Sequence, residues 1–423
     1  MLNRLLVATT VLALAALVFV LTGRVIDAQD ATGANPPPAA SAAAIGVNVR
    51  DFGAVGDGKA DDTAAVLAAI EAAQFKPPMH YLNVAPAVVI FPPGHYRITR
   101  TIELGKPHIG MVFRGTGAVR PNPNKYNPKY DYPRCPTQIL YDGPEGRPVI
   151  GLKGTNGFEI RNIAISGNKK ASVILETHTQ RGSATSQYLF DSVAFADADT
   201  GVLCNPPANC SDMTFVNCKF LDLDVGFHTN SLQAVNFNFY RTDMAFCDTA
   251  FFFEKGGNAN INLVTGHHIG TVLKVRNGGA NCGTFVVNQS RVESYIYKGK
   301  RTVMVDAEGD VSITINGASS TTLQSHLDGK TPNFILGNGA ICLVNGGIVY
   351  GKTARLTGRP DRRPSWIAFN NVIFENTGGD PRTAGVTHDA LSGFEMRNCF
   401  YRQKKLTDYQ SVPEQMAGMP VGE

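Results

Sequence analysis

A degenerate repeat of 20 to 25 residues runs through the middle of the 423-residue chain. Phe195–Val202 (FADADTGV) aligns with Phe220–Phe227 (FLDLDVGF) at an offset of 25 residues. Cys247–Phe251 continues the series after a further 24 residues, and His268–Thr271 follows after 20. One turn of a three-sided parallel β-helix takes three short strands and three bends, which suits this period. Because each coil of such a fold packs only on its neighbours, the repeat predicts a solenoid.

The organisation of the chain is consistent with a solenoid. Residues 46–400 are predicted to form a single β-helix domain, and a segment of this length exceeds what one globular core usually holds. Residues 29–45, rich in alanine and proline, are predicted to be a linker, and residues 401–423 a C-terminal tail. The chain has 43 glycines, one tryptophan and 17% charged residues. Its net charge of +4 is too small to predict binding to nucleic acid or to a membrane surface.

Residues 1–28 have the composition of an export segment. Arg4 is a basic residue that precedes the apolar run Leu5–Leu21, and Ala28 is a candidate cleavage point. Ile26 is larger than the small residue preferred three positions before such a point, but the run is short for a membrane span. These features favour a cleaved signal peptide over an uncleaved anchor. We therefore expect a secreted, periplasmic or cell-surface protein, which is anchored to a membrane only if the segment is retained.

The chain contains eight cysteines, and in an exported protein these can form disulfides, since disulfides persist in oxidising compartments. Cys204 and Cys210 flank a short Asn-Pro-Pro loop and are the best local candidates for a disulfide. Four others are interpreted as small buried residues that fill coil interiors: Cys218, Cys247, Cys342 and Cys399.

The segment Val49–Ala73 (VRDFGAVGDGKADDTAAVLAAIEAA) predicts a turn followed by a helix. Val47–Phe52 alternates apolar and polar residues as a half-buried strand does, and the glycines after it predict a turn. Asp61 or Asp62 is expected to accept hydrogen bonds from the first N–H groups of the helix. Val88–Tyr96 (VVIFPPGHY) then predicts an apolar strand that is ended by Pro-Pro-Gly.

This stretch resembles a known family. The order DFGAVGDGxxDDTxAxxxAI followed by VxFPPGxYxI is similar to the N-terminal signature of the pectate lyase superfamily, and more narrowly of its rhamnogalacturonase/epimerase-like branch. The resemblance implies an all-β, right-handed parallel β-helix whose N-terminal end is capped by the predicted helix. The fold hosts hydrolases, lyases, epimerases and binding proteins, so it does not name a reaction.

The repeat alignment predicts which side chains share one outer face, because strand residues alternate between faces and equivalent positions stack in adjacent coils. The aligned residues expected to point inward are Val202, Phe227, Phe251 and Thr271. Their neighbours are expected to point outward and to form two columns. The first column contains Leu203, His228, Phe252 and Val272. The second contains Asn205, Asn230, Glu254 and Lys274, and Arg276 lies beyond it. Since coils lie about 4.8 Å apart, a polar patch is expected from five residues: His228, Asn230, Glu254, Lys274 and Arg276.

The patch contains the groups that glycan chemistry requires. A lyase neutralises a uronate carboxylate and removes a carbon-bound proton, and Lys274 and Arg276 can serve the first task. A hydrolase needs two carboxyl groups, of which Glu254 is one. The nearest candidates for the second are Asp222, Asp243, Asp248 and Glu293. We interpret Glu254 as the acid or base and His228 as a group that assists it. Lys274 and Arg276 are interpreted as ligands of the substrate carboxylate, and Asn230 as a further substrate contact. The alternative is that these exposed residues only form ordinary cross-strand pairs.

Gly266-His267-His268 invites comparison with the hydrolases of the family. Polygalacturonase-like members carry Asn-x-Asp, Asp-Asp, Gly-His-Gly and Arg-x-Lys in successive coils. This chain has His268 in place of the second glycine, Lys274-Val-Arg276 in reverse order, and no Asp-Asp in its middle part. An unaltered polygalacturonase mechanism is therefore not expected, and the elements of mannuronan epimerases are absent too. His267 is predicted either as a catalytic residue next to the patch or as a plain turn residue.

Three further groups of residues have a structural and a functional interpretation. Asp199, Asp224 and Asp248 are expected to stack, with His268 in the next coil, and each precedes a small residue in a tight turn, which favours a structural role. Asp57, Asp61 and Asp62 are interpreted in the same way. The tract 121–148 interrupts the repeat, and its tyrosines either stack on sugar rings or belong to a covering loop: Tyr126, Tyr130, Tyr132 and Tyr141.

The sequence thus predicts an exported enzyme that cleaves an acidic, pectin-like polysaccharide by hydrolysis or β-elimination. A non-catalytic glycan-binding or structural surface protein is the alternative. No metal-ligand spacing occurs, and no cofactor is predicted apart from calcium in the case of a lyase. The expected partner is the polysaccharide, with no nucleic acid, and with a membrane only through an uncleaved N-terminal segment. The oligomeric state stays open.

Overall fold

The structure is a computed structural model of the chain. It describes residues 46–74, 87–118, 135–178, 184–206, 209–276, 283–293, 296–317, 319–321, 330–375, 385–401, 404–405 and 409–411. The predicted export segment and linker at residues 1–45 lie outside the described residues. The same holds for Tyr126, Tyr130, Tyr132 and most of the predicted tail.

The described chain winds through three parallel β-sheets in a repeating order. Each coil passes from sheet A to sheet B to sheet C and then enters sheet A of the next coil. In sheet A, Phe195 pairs with Phe220, and in sheet B, Val202 pairs with Phe227, as the repeat alignment predicts for both. The architecture is the predicted right-handed parallel β-helix, and the three-strand coil inferred from the repeat is confirmed.

The strands fall into four groups. Sheet A contains β2 (Asp57–Asp61), β4 (Gly94–Ile98), β7 (Thr137–Tyr141), β10 (Ala164–Ser166), β19 (Arg291–Glu293), β24 (Ser319–Thr321), β27 (Ile348–Tyr350), β30 (Ile373–Glu375) and β33 (Phe400–Tyr401). Sheet B contains β5 (Ile102–Gly105), β8 (Ile150–Lys153), β11 (Val173–His178), β22 (Val303–Glu308), β25 (Phe334–Gly337), β28 (Ala354–Thr357) and β31 (Val386–His388). Sheet C contains β1 (Val47–Asn48), β3 (Val88–Ile90), β6 (Val112–Arg114), β9 (Glu159–Arg161), β12 (Ala184–Asp191), β14 (Asn209–Val216), β18 (Thr284–Asn288), β23 (Ser312–Asn316), β26 (Ile341–Asn345), β29 (Ser365–Asn370), β32 (Ser392–Arg397) and β35 (Tyr409–Ser411). Four strands continue around corners from one sheet to the next: β13 (Ala194–Cys204), β15 (Lys219–Tyr240), β16 (Asp243–Asn262) and β17 (Thr265–Arg276).

Three further pieces complete the described secondary structure. A two-strand hairpin, β20 (Ile296–Tyr297) and β21 (Lys300–Arg301), lies between β19 and β22. Strand β34 (Lys404–Lys405) pairs antiparallel with β33, as β35 does with β32. Two 3-10 helices span Val49–Phe52 and Lys106–His108.

Aromatic side chains stack along the interior, because the inward residue of each strand lies directly over its partner in the neighbouring coil. In sheet C, Phe215 stacks on Phe190 at a centroid distance of 4.9 Å and on Phe239 at 4.7 Å. In sheet A, Phe195 stacks on Phe220 at 4.9 Å. Such pairs contribute about 0.5–1.5 kcal/mol beyond the burial of their surface. One hydrophobic cluster runs through these coils and forms the core.

The corner between sheet C and sheet A uses one left-handed residue in successive coils. The non-glycine residues in this position have φ between 48° and 58°: Asn162, Ser192, Asn217, Arg241, Leu263, Gln289, Asn371 and Asn398. Asparagine adopts this conformation more readily than most residues, which explains its frequency there. The residue before the corner forms a ladder in which each amide donates to the previous one at 2.7 to 3.0 Å: Asn262, Asn288, Asn316, Asn345 and Asn370.

The N-terminal segment forms the predicted helix, α1 (Thr63–Ala72). Asp61 precedes the N-cap residue Asp62, and its Oδ1 accepts from the first N–H group of the helix, that of Thr63, at 3.0 Å, as predicted. Asp62 instead accepts from Val55 N and Gly56 N and holds the preceding turn. Asp57 accepts from two backbone N–H groups of its own turn, as expected for a turn former. In the described part of the chain, no helix is both long and apolar enough to span a membrane.

One local prediction in this segment was wrong in extent. Only Val47–Asn48 is a strand, because the chain then turns into a 3-10 helix whose first residue, Val49, is buried. The apolar strand predicted before Pro-Pro-Gly is confirmed as Val88–Ile90, and a new strand of sheet A begins at Gly94.

The predicted register fails in one coil. Phe251 pairs with Leu273 and not with Thr271, so this coil is longer than the alignment assumed. Leu273 therefore continues the inward column in place of Thr271, and Val272, predicted to point outward, is buried. The alignment had matched the small residues Ala250 and Gly270. In the structure Gly270 packs instead on the carbonyl oxygen of Asp248, where a Cβ would come within 2.5 Å.

The described cysteines are all in the thiol form, and no disulfide joins any two of them. The four predicted to fill coil interiors are buried, as expected: Cys218, Cys247, Cys342 and Cys399. The predicted disulfide between Cys204 and Cys210 is absent from the structure, and both thiols are buried. The hydroxyl of Thr177 contacts the sulfur of Cys210 at 2.7 Å, so the pair lies inside the core and not in a surface loop.

Candidate functional site

Sheet B carries a polar column on its outer face, and the column contains two of the predicted site residues. Consecutive register partners along it are Glu176, Leu203, His228, Phe252, Lys274 and Asp306. Neighbours are about 4.8 Å apart, which is the spacing of paired strands. Glu254, two residues after Phe252, reaches back to His228. We call His228, Phe252, Glu254 and Lys274 the central patch.

His228 and Glu254 form a hydrogen-bonded pair. The distance from Nε2 of His228 to Oε2 of Glu254 is 3.0 Å, and the two side chains are 18% and 39% exposed. Burial lowers the pKa of His228 below its usual value of 6.5; Glu254 opposes this shift and Lys274 adds to it. The imidazole is therefore neutral at neutral pH. Since a carboxylate only accepts hydrogen bonds, Nε2 carries the proton and Nδ1 keeps the basic lone pair.

Phe252 lies between the histidine and the lysine of the patch. Its ring stacks on the imidazole of His228 at a centroid distance of 4.6 Å and an angle of 11°. The Nζ of Lys274 lies 4.8 Å from the centroid of the same ring. Among the described carboxylates, none forms an ion pair with Lys274. Its charge is thus oriented by an aromatic face and remains available to an anionic ligand.

Arg276 lies beyond the patch and already has a partner. Its Nη2 pairs with Oδ2 of Asp306 at 2.8 Å, and its Nη1 donates to the carbonyl oxygens of Asp306 and Val275. Most of its donors are therefore engaged within the protein. Its predicted role as a carboxylate ligand stays a prediction, and Lys274 is the better placed cation.

The predicted second column is interrupted. A bulge after Thr229 sets Asn230 opposite Lys255 and not opposite Glu254. The Oδ1 of Asn230 is buried without a hydrogen-bond partner in the described part of the chain. Asn205 is engaged with the first column, because its Nδ2 donates to Oε1 of Glu176 at 2.9 Å. The predicted column of Asn205, Asn230, Glu254 and Lys274 is therefore not continuous.

His267 lies on sheet A, and so it does not join the central patch. It pairs in register with Ala245 and Glu293. Its Nδ1 is 3.1 Å from Nδ1 of His268, whose ring stacks on Phe246 at 4.7 Å. The corner between sheets A and B separates this pair from Lys274.

The aspartate stack is present, with one correction. Asp199, Asp224 and Asp248 occupy equivalent positions, but Gly270 follows them in the next coil and not His268. The Nζ of Lys298 lies 2.7 Å from Asp248 and 3.9 Å from Asp224. This ion cluster ties the β20–β21 hairpin to the corner, which supports the structural interpretation.

Sequence reasoning missed a groove on the same face, nearer the N-terminus. It has a volume of about 730 Å³ and contains part of the polar column. Its charged lining residues are Arg100, Glu103, Arg147, Lys153, Glu176 and His178. The spacing of Glu176-Thr-His178 was an available signal, because residues two apart share one face of a strand. Tyr141, predicted either to stack on sugar or to belong to a covering loop, is a buried residue of the groove lining, with its hydroxyl donating to the carbonyl oxygen of Pro144.

A calcium site was the one cofactor considered from the sequence. Within the described ranges, no three His, Cys, Asp or Glu side chains converge as a metal site would require. The carboxylates of the central patch, the groove and Asp306 are each engaged in an ion pair, and they do not fit a carboxylate cage for calcium. The calcium ion therefore has no located site here, and no step below depends on it.

Comparison with known families supports the resemblance found in the motif. Residues 46–133 match the family model described as Rhamnogalacturonase A/epimerase, pectate lyase-like. The predicted resemblance is confirmed for this segment. The match ends before the central patch, so it carries no information about those residues. No curated protein sequence matches the chain.

Solved structures confirm the fold. The chain is similar to the A-module of mannuronan C-5 epimerase AlgE4 from Azotobacter vinelandii, with a TM-score of 0.61 and 15% identity, over 86% of this chain and 97% of that one. It is also similar to the catalytic unit of an α-1,3-glucanase from Streptomyces thermodiastaticus, with a TM-score of 0.52 and 15% identity, over 89% and 71% of the two chains. At these sequence identities the likeness shows that the β-helix fold is shared, and it gives no information about the reaction.

Proposed function

We propose that the protein is a carbohydrate-active enzyme that cleaves an acidic, pectin-like polysaccharide by β-elimination at the central patch. One observation carries the proposal: a neutral His228, oriented by Glu254, lies on the same face as the oriented cation Lys274, with the ring of Phe252 between them. A base and a carboxylate ligand on one face are what this reaction requires. The family model and the β-helix relatives support carbohydrate chemistry at a coarse level.

The residues divide the reaction between them. Lys274 binds the carboxylate of a uronate unit, which makes the hydrogen on the adjacent carbon, C5, more acidic. Nδ1 of His228 takes that proton, and Glu254 stabilises the imidazolium that forms. The electron pair of the C5–H bond becomes the C4=C5 double bond while the C4–O bond breaks. The departing oxygen takes a proton from water, and the hydroxide left behind takes the proton from the imidazolium of His228, which restores the base. One chain end is then unsaturated and the other carries a new hydroxyl group.

Hydrolysis has less support from the same geometry. It needs two carboxyl groups on either side of the glycosidic bond, separated by about 5–10 Å. Glu254 is one, but the two carboxylates of the column, Glu176 and Asp306, are already paired with His178 and Arg276. The four aspartate and glutamate candidates named from the sequence lie on sheet A or at its corner with sheet B, away from the patch: Asp222, Asp243, Asp248 and Glu293.

Non-catalytic glycan binding is the second candidate function. It is favoured by the internal neutralisation of Arg276 and by the incomplete hydrolase motifs around His267. In that case the face of sheet B would hold an acidic glycan through Lys274 without altering it. Whether the protein is an enzyme or a glycan-binding protein, we propose that residues 1–28 direct its export.

A substrate panel tests the proposal. The protein would be incubated with pectins, rhamnogalacturonans and alginate, while ultraviolet absorbance of unsaturated uronate and the number of reducing ends are both followed. β-Elimination produces both signals, hydrolysis only the reducing ends, and binding neither. His228→Ala, Glu254→Gln and Lys274→Ala should each abolish most of the turnover. Lys219→Ala, which removes the same charge from sheet A, is the matched control and should keep it. Full activity in the three patch variants would refute the assignment.

A further inference from the structure

The groove on the N-terminal part of sheet B continues the outer face of the central patch. Glu176, on its wall, is the register partner of Leu203, which in turn pairs with His228. Two strand spacings, about 10 Å, therefore separate Glu176 from the proposed base along the helix axis. A polymer that lies along sheet B at the patch would extend into this groove.

The carboxylates that line the groove form ion pairs or hydrogen bonds with other residues of the protein. Lys153 pairs with Glu103 at 3.2 Å. Glu176 is satisfied by His178 at 2.8 Å and by the amide of Asn205. The two carboxylates of the groove are thus occupied by internal partners.

Two cations remain in the lining. Arg100 and Arg147 are exposed, and no described carboxylate forms an ion pair with either of them. Their guanidinium groups present planar pairs of N–H donors, which match the two oxygens of a carboxylate better than a lysine does. The groove therefore carries two positive charges that its own carboxylates do not neutralise.

The loop that carries Arg147 is held in place by hydrogen bonds on both sides. Ser172 N donates to the carbonyl oxygen of Arg147 at 3.3 Å, and Ser172 Oγ donates to that of Gly146 at 2.9 Å. Thr101 Oγ1 donates to the carbonyl oxygen of Pro148 at 2.6 Å. At the start of the loop, Asp142 accepts from Arg97 at 2.7 Å and also pairs with Lys170. The arginine therefore projects from a rigid support, which lowers the entropy lost when it binds a ligand.

We infer that this groove is an anion subsite in which Arg100 and Arg147 bind the carboxylate of a second uronate unit of the polysaccharide. The inference rests on the proposed function for the identity of the polymer, but the site is separate from the catalytic residues. It makes the enzyme selective for chains long enough to reach from the central patch into the groove. Free uronate and short oligomers gain little from it.

Binding and turnover of size-defined oligogalacturonates test the subsite. Arg100→Gln and Arg147→Gln should each weaken the binding of a long oligomer about tenfold or more, which is the usual effect of removing one charge-assisted contact. The preference of the wild type for long over short oligomers, measured as a ratio of kcat/KM values, should shrink by the same factor. Arg291→Gln, which removes an exposed arginine from sheet A, is the matched control and should keep that ratio.

The outcomes separate the two proposals. If the wild type binds long oligogalacturonate, the two arginine variants lose that binding and no product forms, the subsite stands and the lyase assignment falls. If the wild type turns over the polymer but both arginine variants keep the length preference, the subsite is refuted and the central patch stands. Equal loss of binding for a neutral glucan of the same length in the two variants would also overturn recognition of a carboxylate.

Discussion

The imidazole of His228 stacks on the ring of Phe252, although the two residues are far apart in the sequence and belong to consecutive coils. The stack buries one face of the imidazole, and burial is the main reason why its pKa is lowered. The same ring holds Lys274 on the next coil. Three residues from three coils thus share one aromatic platform, and the protonation of the base depends on it.

The first prediction concerns the pH dependence of activity. Since His228 acts in its neutral form and its pKa lies below 6.5, the acidic limb of the kcat/KM profile should lie below pH 6.5. Glu254 raises this pKa and Lys274 lowers it, so Glu254→Gln should move the imidazole pKa down and Lys274→Ala should move it up. NMR titration of the His228 ring measures all three values, even in variants without turnover. Shifts of the same sign in both variants would contradict the geometry.

The second prediction applies the same shift to stability. The unfolded chain has an ordinary histidine pKa near 6.5 and takes up a proton before the folded protein does, so the folded state is favoured above that pH. The contribution is lost as the pH falls from about 6.5 through the lower folded pKa. Chemical denaturation at a series of pH values should therefore show a steeper loss for the wild type than for His228→Gln. Parallel curves for the two proteins would show that the histidine is not linked to folding.

The third prediction tests the platform. Phe252→Leu keeps apolar bulk but removes the aromatic face, so the contacts with His228 and Lys274 are lost. These contacts are worth about 0.5–2 kcal/mol each, and binding of an acidic glycan should weaken several-fold. The pKa of His228 should rise towards its ordinary value, because the ring becomes more exposed. Phe246→Leu, which removes a similar stack on His268, is the matched control and should leave both readouts unchanged.

The fourth prediction concerns the asparagine ladder. Asn316 donates to Asn288 at 2.8 Å and accepts from Asn345 at 2.9 Å, so Asn316→Ala leaves two partly buried partners unsatisfied. We expect a loss of about 1–3 kcal/mol in the free energy of unfolding. Asn260→Ala removes one exposed contact, with Asn238, and should cost less than about 0.5 kcal/mol. Thermal and denaturant unfolding of the two variants, compared with the wild type, measure the difference, and equal losses would argue against the ladder.

The fifth prediction concerns close packing at the corner between sheets A and B. A Cβ on Gly226 would lie 2.6 Å from the carbonyl oxygen of Ala250 in the next coil. Gly226→Ala should therefore push two coils apart and destabilise the protein by about 1–3 kcal/mol. At Gly105 the nearest atom to such a Cβ is 3.5 Å away, and Gly105→Ala should be tolerated. A wild-type melting temperature in Gly226→Ala would show that the coils can separate at no cost.

The candidate site shows where prediction from the sequence succeeds. His228 and Glu254 were expected to be neighbours because residues about one repeat apart stack in adjacent coils, and they contact each other at 3.0 Å. Lys274 was also placed on this face, but opposite Glu254, whereas the longer coil before it sets it opposite Phe252. Because the coils differ in length, an alignment predicts the correct strand pairing only where the residues it matches occupy equivalent positions in their coils. Gly270, matched with Ala250, does not occupy the equivalent position.

Residues outside the repeat were beyond this reasoning. Arg100 and Arg147 lie in the same corner between sheets A and B of two adjacent coils, but the two corner segments differ in length, so no sequence alignment matched them. His267 was expected near the patch because it is close to Lys274 in the sequence, yet the corner between sheets A and B directs it to another face. Short separation along the chain does not bring two residues together when a corner lies between them.

The amino-acid sequence alone determined the parallel β-helix, its capping helix and most of its inward columns. The alternation of apolar and polar residues and the length of the repeat are visible along the chain, and they do not depend on how one coil packs on the next. The tertiary structure alone decided how the outer face is assembled. Unequal coil lengths, a bulge at Asn230 and an anchored loop at Arg147 set which side chains become neighbours across strands. Those offsets depend on how each coil packs on the one below it, and that packing is encoded in contacts between residues far apart in the chain.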